Sequence, residues 1–456
     1  MSATWKKCSG LLLMMALMAG CGQSPTATTA SKESPSPRDA VSPAEPTGGE
    51  VGQPTPLPTA SIGSAVALNA PPDTEPEAEP TEGTPEWLIR EIQRIRLLPF
   101  PSMDPTDGGE DGGEEAPQVV PTKSPAVEER LAQIRSLRRE RNLEVVKLAT
   151  GALAQTAKDP AKDVVFHAAV HHLLDAHLQL ALQGDEESIA ALYEAAEAFQ
   201  AKKPGTAVAA EAQLTLVNLS HANALRYAKS EPKWLQEFAR HAQLFASRFP
   251  EEQEQALPLL LAAGRSCELH GLLDEAISCF GLIQAKFPDS PQASQAAGVM
   301  RRLKLTGQKL QLAGPTLDGN YLSVDDFPGK SLIIVFWSSH ASPFVEQVET
   351  LQAVAEKYKK YAQVLSVNLD SEESEVDAFL ERTRLTWPVI FHVEQDKRSW
   401  NAPLAVHYGI NTVPTIWITD PNGVVADTDV TAETLEAKLR DVLIKHRAAT
   451  TAKSAE

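Results

Sequence analysis

Cysteine is scarce in this chain: four in 456 residues, at Cys8, Cys21, Cys267 and Cys279. That is too few to build a fold from disulfides, and no thiol follows Cys279. Basic charge is also in short supply. Lys and Arg number 42 against 60 Asp and Glu, a net charge of -18. No stretch gathers the dense positive charge that a phosphate backbone demands, so no nucleic-acid partner is expected. Long apolar runs are missing too. The strongest, "GLLLMMALMA" (10–19), is too short to cross a bilayer as a helix. No pattern demands a cofactor, and none is expected.

What the first residues do contain is an address. Lys6 and Lys7 form a basic n-region ahead of that apolar run, and "LMAGC" (17–21) follows it. Small residues before a cysteine resemble a bacterial lipobox, although Met18 is a less usual residue there. The resemblance implies a lipoprotein signal peptide at 1–20, cleaved before Cys21, and a diacylglycerol thioether on Cys21. The protein would then sit in the cell envelope, facing the periplasm, with the lipid as its membrane anchor. An ordinary signal peptide with a chance cysteine is the alternative.

Residues 21–125 read as a disordered tether. The segment holds more than half of the 33 prolines, and "SPSPRDAVSPAEPTGG" and "DGGEDGGEE" offer too little apolar surface to offset ordering entropy. One island interrupts it, a short amphipathic helix at 86–98 within "PEWLIREIQRIRLLPFP". At helical spacing Trp87, Leu88, Ile92, Ile95 and Leu98 share a face, with Arg90, Gln93 and Arg94 opposite. Such a helix folds on something: the protein's own domains, a partner or the membrane surface.

From 126 to 306 the pattern is helical. Pro204, Pro250 and Pro288 mark turns between Ala- and Leu-rich helix pairs. "GLLDEAISCFGLIQAKFPDSPQASQAA" resembles a tetratricopeptide-type repeat, and a generic helical array is the alternative. Two constellations here deserve chemistry. His167, His171 and Asp175 stand at i, i+4 and i+8, and neighbours four apart on a helix can share a metal. The third drifts round the helix, however, so ordinary polar positions are the simpler reading and no metal is expected. Cys267 and Cys279 flank the turn "HGLLDE" with a stagger of ~3 residues, or ~4.5 Å along the axis. A disulfide needs Cα atoms ~4.4–6.8 Å apart, so a bridge is feasible without being favoured. Buried thiols, a structural disulfide and a catalytic pair all stay open.

After about 311 the period changes. "SLIIVFW", "AQVLSVNL", "TWPVIF" and "VPTIWIT" read as strands, "PFVEQVETLQAVAEKYKKY", "SEVDAFLERTR" and "TAETLEAKLRDVLIKH" as helices, and "DPNG" as a hairpin turn. The order of "GPTLDGNYLSVDDFPGKSLIIVFWSSHASPFVEQ", "WPVIF" and "LAVHYGINTVPTIWITDPNGVV" resembles thioredoxin-like domains of the redoxin branch, close to TlpA-like proteins. The expected architecture is therefore multidomain: a tether, an all-α repeat-like domain, an α/β thioredoxin-like domain at 311–447 and a flexible tail at 448–456. The resemblance further implies a cis peptide between Val413 and Pro414.

The family's active turn reads Trp-Cys-x-x-Cys. Mapped here, His340 replaces the tryptophan, Ala341 and Phe344 replace the cysteines, and Ser342 and Pro343 lie between them. A helix N-terminus lowers the pKa of a thiol placed on it, but a methyl group offers nothing to activate. Ser338, Ser339, His340 and Ser342 crowd the same turn. A Ser–His pair would need an orienting acid and an oxyanion hole, so a polar helix cap by Ser339 or His340 is the simpler expectation. What the mapping leaves is a binding surface: the backbone of Val413 beside Pro414, next to an apolar patch of Trp337, His340, Ala341 and Phe344. Phe344 could equally fill the space the disulfide left. Three functions stay open: a non-enzymatic module binding a protein or peptide partner in the cell envelope, a thiol–disulfide oxidoreductase that uses Cys267 and Cys279, or a scaffold protein with no extended-peptide binding.

Overall fold

The computed structural model describes residues 79–101 and 125–453. The signal segment 1–20, Cys21 and most of the tether lie outside the described residues. The chain divides into two compact units, Met1–Phe249 and Pro250–Glu456. The division at 249/250 puts the last three helices before residue 306 in the unit that holds the α/β domain.

The first unit is helical: α1 (Pro85–Leu97), α2 (Pro125–Thr156), α3 (Asp163–Ala181), α4 (Glu186–Lys202), α5 (Ala207–Tyr227) and α6 (Lys233–Arg248). The amphipathic island is α1. It begins where the Thr84 hydroxyl accepts the Trp87 N–H at 3.3 Å and Pro85 occupies the first turn. Of the three docking choices the chain takes its own domain: α1 packs on α2 and α3, with Ile92 and Ile95 buried. Arg141 donates to the Leu98 and Pro99 carbonyls at 2.7 and 2.8 Å, holding the end of the island.

The second unit opens with α7 (Gln253–Leu269), α8 (Leu273–Lys286) and α9 (Pro291–Leu303). A small hairpin follows, β1 (Ala313–Pro315) and β2 (Tyr321–Ser323), then β3 (Ser331–Trp337), α10 (Ser342–Tyr358), β4 (Ala362–Asn368), α11 (Glu373–Thr383) and β5 (Val389–Ile390). The chain ends with α12 (Pro403–Tyr408), β6 (Thr415–Thr419), β7 (Val425–Val430) and α13 (Ala432–Lys453). The expected tail is thus helical as far as Lys453, with Thr450 and Thr451 hydroxyls bonded back to His446 and Arg447 carbonyls.

Five strands form one mixed sheet in the order β5-β4-β3-β6-β7. β3, β4 and β5 run parallel, whereas β6 and β7 are antiparallel to their neighbours. All seven residues of β3 are buried, as a central strand covered on both faces requires. Its alternation sends Ile333, Val335 and Trp337 into a core with Phe344, Val348 and Leu351 from α10. Leu332, Ile334 and Phe336 enter the opposite core, with Tyr408 and Trp417. The "DPNG" turn joins β6 to β7: the Asp420 carboxylate accepts the Asn422 and Val424 N–H groups, both at 2.9 Å.

Helix α9 is tied to this domain at one close crossing. A Cβ on Gly298 would lie 2.5 Å from the Val406 carbonyl and 2.6 Å from the Gly409 nitrogen. Only glycine lets the two backbones approach so closely. Arg301 and Arg302 then donate to the His407 and Tyr408 carbonyls, satisfying the end of α12.

Candidate functional site

The degenerate turn is built by strand register. β3 and β4 pair in parallel with Trp337 opposite Asn368, so the residues just beyond each strand meet. Asp370 lands there and is 2% exposed. Its carboxylate accepts the Ser338 hydroxyl, the Ser339 N–H at 3.0 and 3.1 Å, and the Asn368 side-chain amide at 2.8 Å. The Asn368 amide oxygen returns the favour by accepting the Asp370 N–H at 2.8 Å. The His340 N–H reaches the Ser338 hydroxyl at 3.3 Å. A buried carboxylate with this many donors is a clamp on the turn. Sequence reasoning missed Asp370. Two buried strands ending in "FWSS" and "VNLD" signal it only once their register is known.

The expected helix cap is displaced. The N-cap of α10 is Ala341, with no side-chain cap, and Pro343 lies in the first turn as expected. Ser339 and His340 precede that N-cap, and the Ser339 N–H donates to Asp370. His340 is exposed, and its Nε2 lies 3.0 Å from Glu375. That hydrogen bond, opposed by slight burial and aided by charge, holds the imidazole above its ordinary pKa. No nucleophile–base pair forms here, since the Ser338 hydroxyl goes to Asp370 and the His340 ring to Glu375.

Phe344 is fully buried, and so is Trp337. Their rings stack with centroids 4.9 Å apart, and Phe379 closes the group at 5.1 Å from Trp337 and 5.7 Å from Phe344. The surface patch expected from these two residues is therefore corrected to a core cluster. The reason is helical spacing: Phe344, Val348 and Leu351 stand four and three apart, on the face that α10 lays against the sheet. That spacing was legible in the sequence. At the surface of the turn His340, Ser342 and Pro343 remain exposed, with Ala341 half-buried.

The Val413–Pro414 peptide is cis, as the resemblance implied. Val413 is half-buried against the second core. Its main-chain N–H and C=O take no partner among the described residues. Val413 and Pro414 thus keep the backbone half of the expected binding surface, without the aromatic half.

The remaining constellations resolve differently from their sequence patterns. Cys267 and Cys279 are both fully buried and remain thiols, so the feasible disulfide is absent. Burial, then the Cys279 thiol and Glu275, push the Cys267 pKa up to about 12. His171 pairs with Glu211 on α5 at 2.5 Å, His167 faces Asp163 at 3.7 Å, and Asp175 pairs with Arg96 on α1. His171 and Asp175 thus serve contacts between helices and His167 a pair within its own, and no cluster suited to a metal occurs among the described residues.

Known proteins resemble the second unit. Residues 306–428 match the AhpC/TSA family. The thioredoxin-like protein YneN of Bacillus subtilis (strain 168) is 30% identical over 130 residues, which cover 27% of this chain and 72% of that protein. The thiol-disulfide oxidoreductase ResA of Oceanobacillus iheyensis is 28% identical over 138 residues, covering 29% of this chain and 68% of that one. Among solved structures, a putative thiol:disulfide interchange protein DsbE from Chlorobium tepidum aligns at 26% identity. It covers 30% of this chain and 97% of its own, with a TM-score of 0.27. Through its C-terminal domain, with the mixed sheet and cis-proline loop described above, the chain belongs to the thioredoxin-like redoxin family.

Proposed function

We propose that this chain is a lipid-anchored protein of the cell envelope whose thioredoxin-like domain binds protein or peptide partners and carries out no thiol–disulfide exchange. The observation that carries this reading is Phe344. Where the family motif maps its second cysteine, this chain buries a phenylalanine stacked at 4.9 Å on Trp337. The position of the first is Ala341, which supplies no nucleophile. A dithiol mechanism needs a thiolate that attacks and a second thiol that resolves the mixed disulfide, and the turn offers neither.

The names of relatives such as ResA support the other reading, an oxidoreductase working through Cys267 and Cys279. Burial argues against it. A thiol whose pKa is pushed up to about 12 is almost wholly protonated near neutral pH, and full burial denies it a substrate.

Dithiothreitol-driven reduction of insulin by the purified chain tests this. The expected rate equals the reductant alone. Turnover that a Cys267→Ser substitution abolishes would overturn the interaction-module reading. The lipid anchor is tested separately, by mass spectrometry of the mature N-terminus, where a diacylglycerol-modified Cys21 is expected.

A further inference from the structure

In the first unit α5 packs on both α4 and α6, and a chain of polar side chains runs through that junction. His241 on α6 and Gln213 on α5 are each only 2% exposed. The Gln213 amide lies 3.0 Å from His241 Nδ1 and, through its other atom, accepts from Arg248 at 3.0 Å. On the far side of the ring, His241 Nε2 lies 3.2 Å from the Glu237 carboxylate and 3.4 Å from the Tyr193 hydroxyl of α4. Tyr193 also donates to Glu237 at 3.0 Å. Arg240 stands 3.0 Å from Nε2 and gives an N–H to the Glu237 carboxylate at 2.6 Å. The titratable and charged groups facing the ring are therefore Tyr193 from α4 and Glu237, Arg240 and Arg248 from α6, while α5 contributes the uncharged Gln213.

Donor and acceptor types fix where the protons are. A guanidinium only donates, so the Gln213 atom facing Arg248 is the amide oxygen, and the amide NH2 faces the ring. That NH2 also only donates, so Nδ1 offers its lone pair, and the neutral ring carries its proton on Nε2, toward Glu237. A second proton has one place to go, Nδ1, where it meets the Gln213 NH2 donor to donor. Turning Gln213 round moves the conflict without removing it, because the NH2 then meets Arg248. At 2% exposure neither side chain can turn to solvent instead, so the ring cannot charge while the junction stays closed.

We infer that His241 is an acid-sensitive lock on the helical unit: protonation at Nδ1 expels the Gln213 amide and loosens α5 from α4 and α6. The inference stands apart from the reading of the thioredoxin-like domain, and either can fail without the other. The electrostatics agree with the donor count. Burial, then Arg240, hold the His241 pKa down to about 4 from 6.5, against the pull of Glu237. The sign follows from linkage. The unfolded chain takes up this proton as pH falls through 6.5, and the folded chain only near 4, so the stabilisation is full above 6.5 and is lost progressively between the two.

The test uses the full mature chain and two readouts: an NMR titration of the His241 ring, and amide hydrogen exchange of α5 and α6 at pH 7.5 and pH 5.0, corrected for the intrinsic rate. In the native chain the ring is expected to titrate well below 6.5, and protection of α5 and α6 to fall about tenfold or more at the lower pH. Two variants ask whether the donor conflict is the cause. Gln213→Glu sets an acceptor against both Nδ1 and Arg248, and Arg248→Met, at an exposed position, frees Gln213 to turn its oxygen to the ring. Each should raise the His241 midpoint by about one unit or more, and Gln213→Glu should make the fall in protection at least about threefold smaller. A merely structural role for Gln213 would lower protection at both pH values and leave the midpoint where it was. Circular dichroism identifies a variant that fails to fold. The other variant then decides, and if both fail the native titration and exchange decide alone. A native midpoint at or above 6.5, a midpoint that a folded variant leaves unmoved, or protection of α5 and α6 that is equal at the two pH values would overturn the lock.

Discussion

Two regions of the second unit invite comparison: the turn before α10, where the family motif maps its cysteines, and the cleft of about 380 Å³ lined by α9 and α12. The turn is filled from within. Phe344 closes it with an aromatic stack, and Asp370 takes up the Ser338 and Ser339 donors. The cleft is the reverse. Its apolar surface at Trp400 and Val406 is half exposed. The difference teaches that one unit can close a turn from within by aromatic packing while leaving apolar surface open elsewhere.

The sharpest way to break the comparison is Phe344→Asp. If the turn is core, this variant buries an unpaired charge in the aromatic group and should lose more than about 4 kcal/mol, enough to prevent folding of the domain. A urea melt that barely shifts would return Phe344 to the surface. Next comes Asp370→Ala, which strands the Ser338, Ser339 and Asn368 donors. A stranded buried donor costs about 1–3 kcal/mol, and because Ser338 and Ser339 are half-buried and can turn to water, the three together should cost about 3 kcal/mol in the same measurement.

A smaller effect is expected where α9 crosses α12. Gly298→Ala places a Cβ 2.5 Å from the Val406 carbonyl. Overpacking of this kind costs about 1–3 kcal/mol, partly offset by the roughly 1 kcal/mol that alanine gains over glycine in a helix. Thermal melting should show a modest net loss. A stabilised variant would mean that the two helices separate without cost.

The smallest effect belongs to His340. The Glu375 hydrogen bond raises its folded pKa above 6.5. The sign follows from linkage: the stabilisation is fully present below the unfolded value and is lost as pH rises through the raised folded value. An NMR titration of the His340 ring should place its midpoint above 6.5. Glu375→Gln should bring that midpoint down without altering the melting temperature measurably, since exposed pairs contribute little.

Much of the second unit was legible as sequence. The six apolar residues of β3, the proline-led α10 and the "DPNG" hairpin each follow from local sterics and a repeat of burial. Phe344 was legible in part, since its spacing to Val348 and Leu351 names the buried face, yet its position in the redox motif drew attention to the surface. The thiols and histidines were harder. Cys267 and Cys279, or His171 and Asp175, have a spacing along one chain that fits several partners, and the choice is made by a helix folded against them.

By itself the sequence determined the order of strands and helices and the lack of any thiol between Cys279 and Glu456. These depend on periodicity and residue type, which act over a few neighbours. Only the tertiary structure decided that Asp370 would clamp Ser338 across 32 positions, and that Arg301 would reach the His407 carbonyl across 106. It also decided that α7, α8 and α9 would share a unit, and a cleft, with the α/β domain. Contacts of this range are set by strand register and by the closeness of packed helices, and neither has a signature in the local pattern of residues.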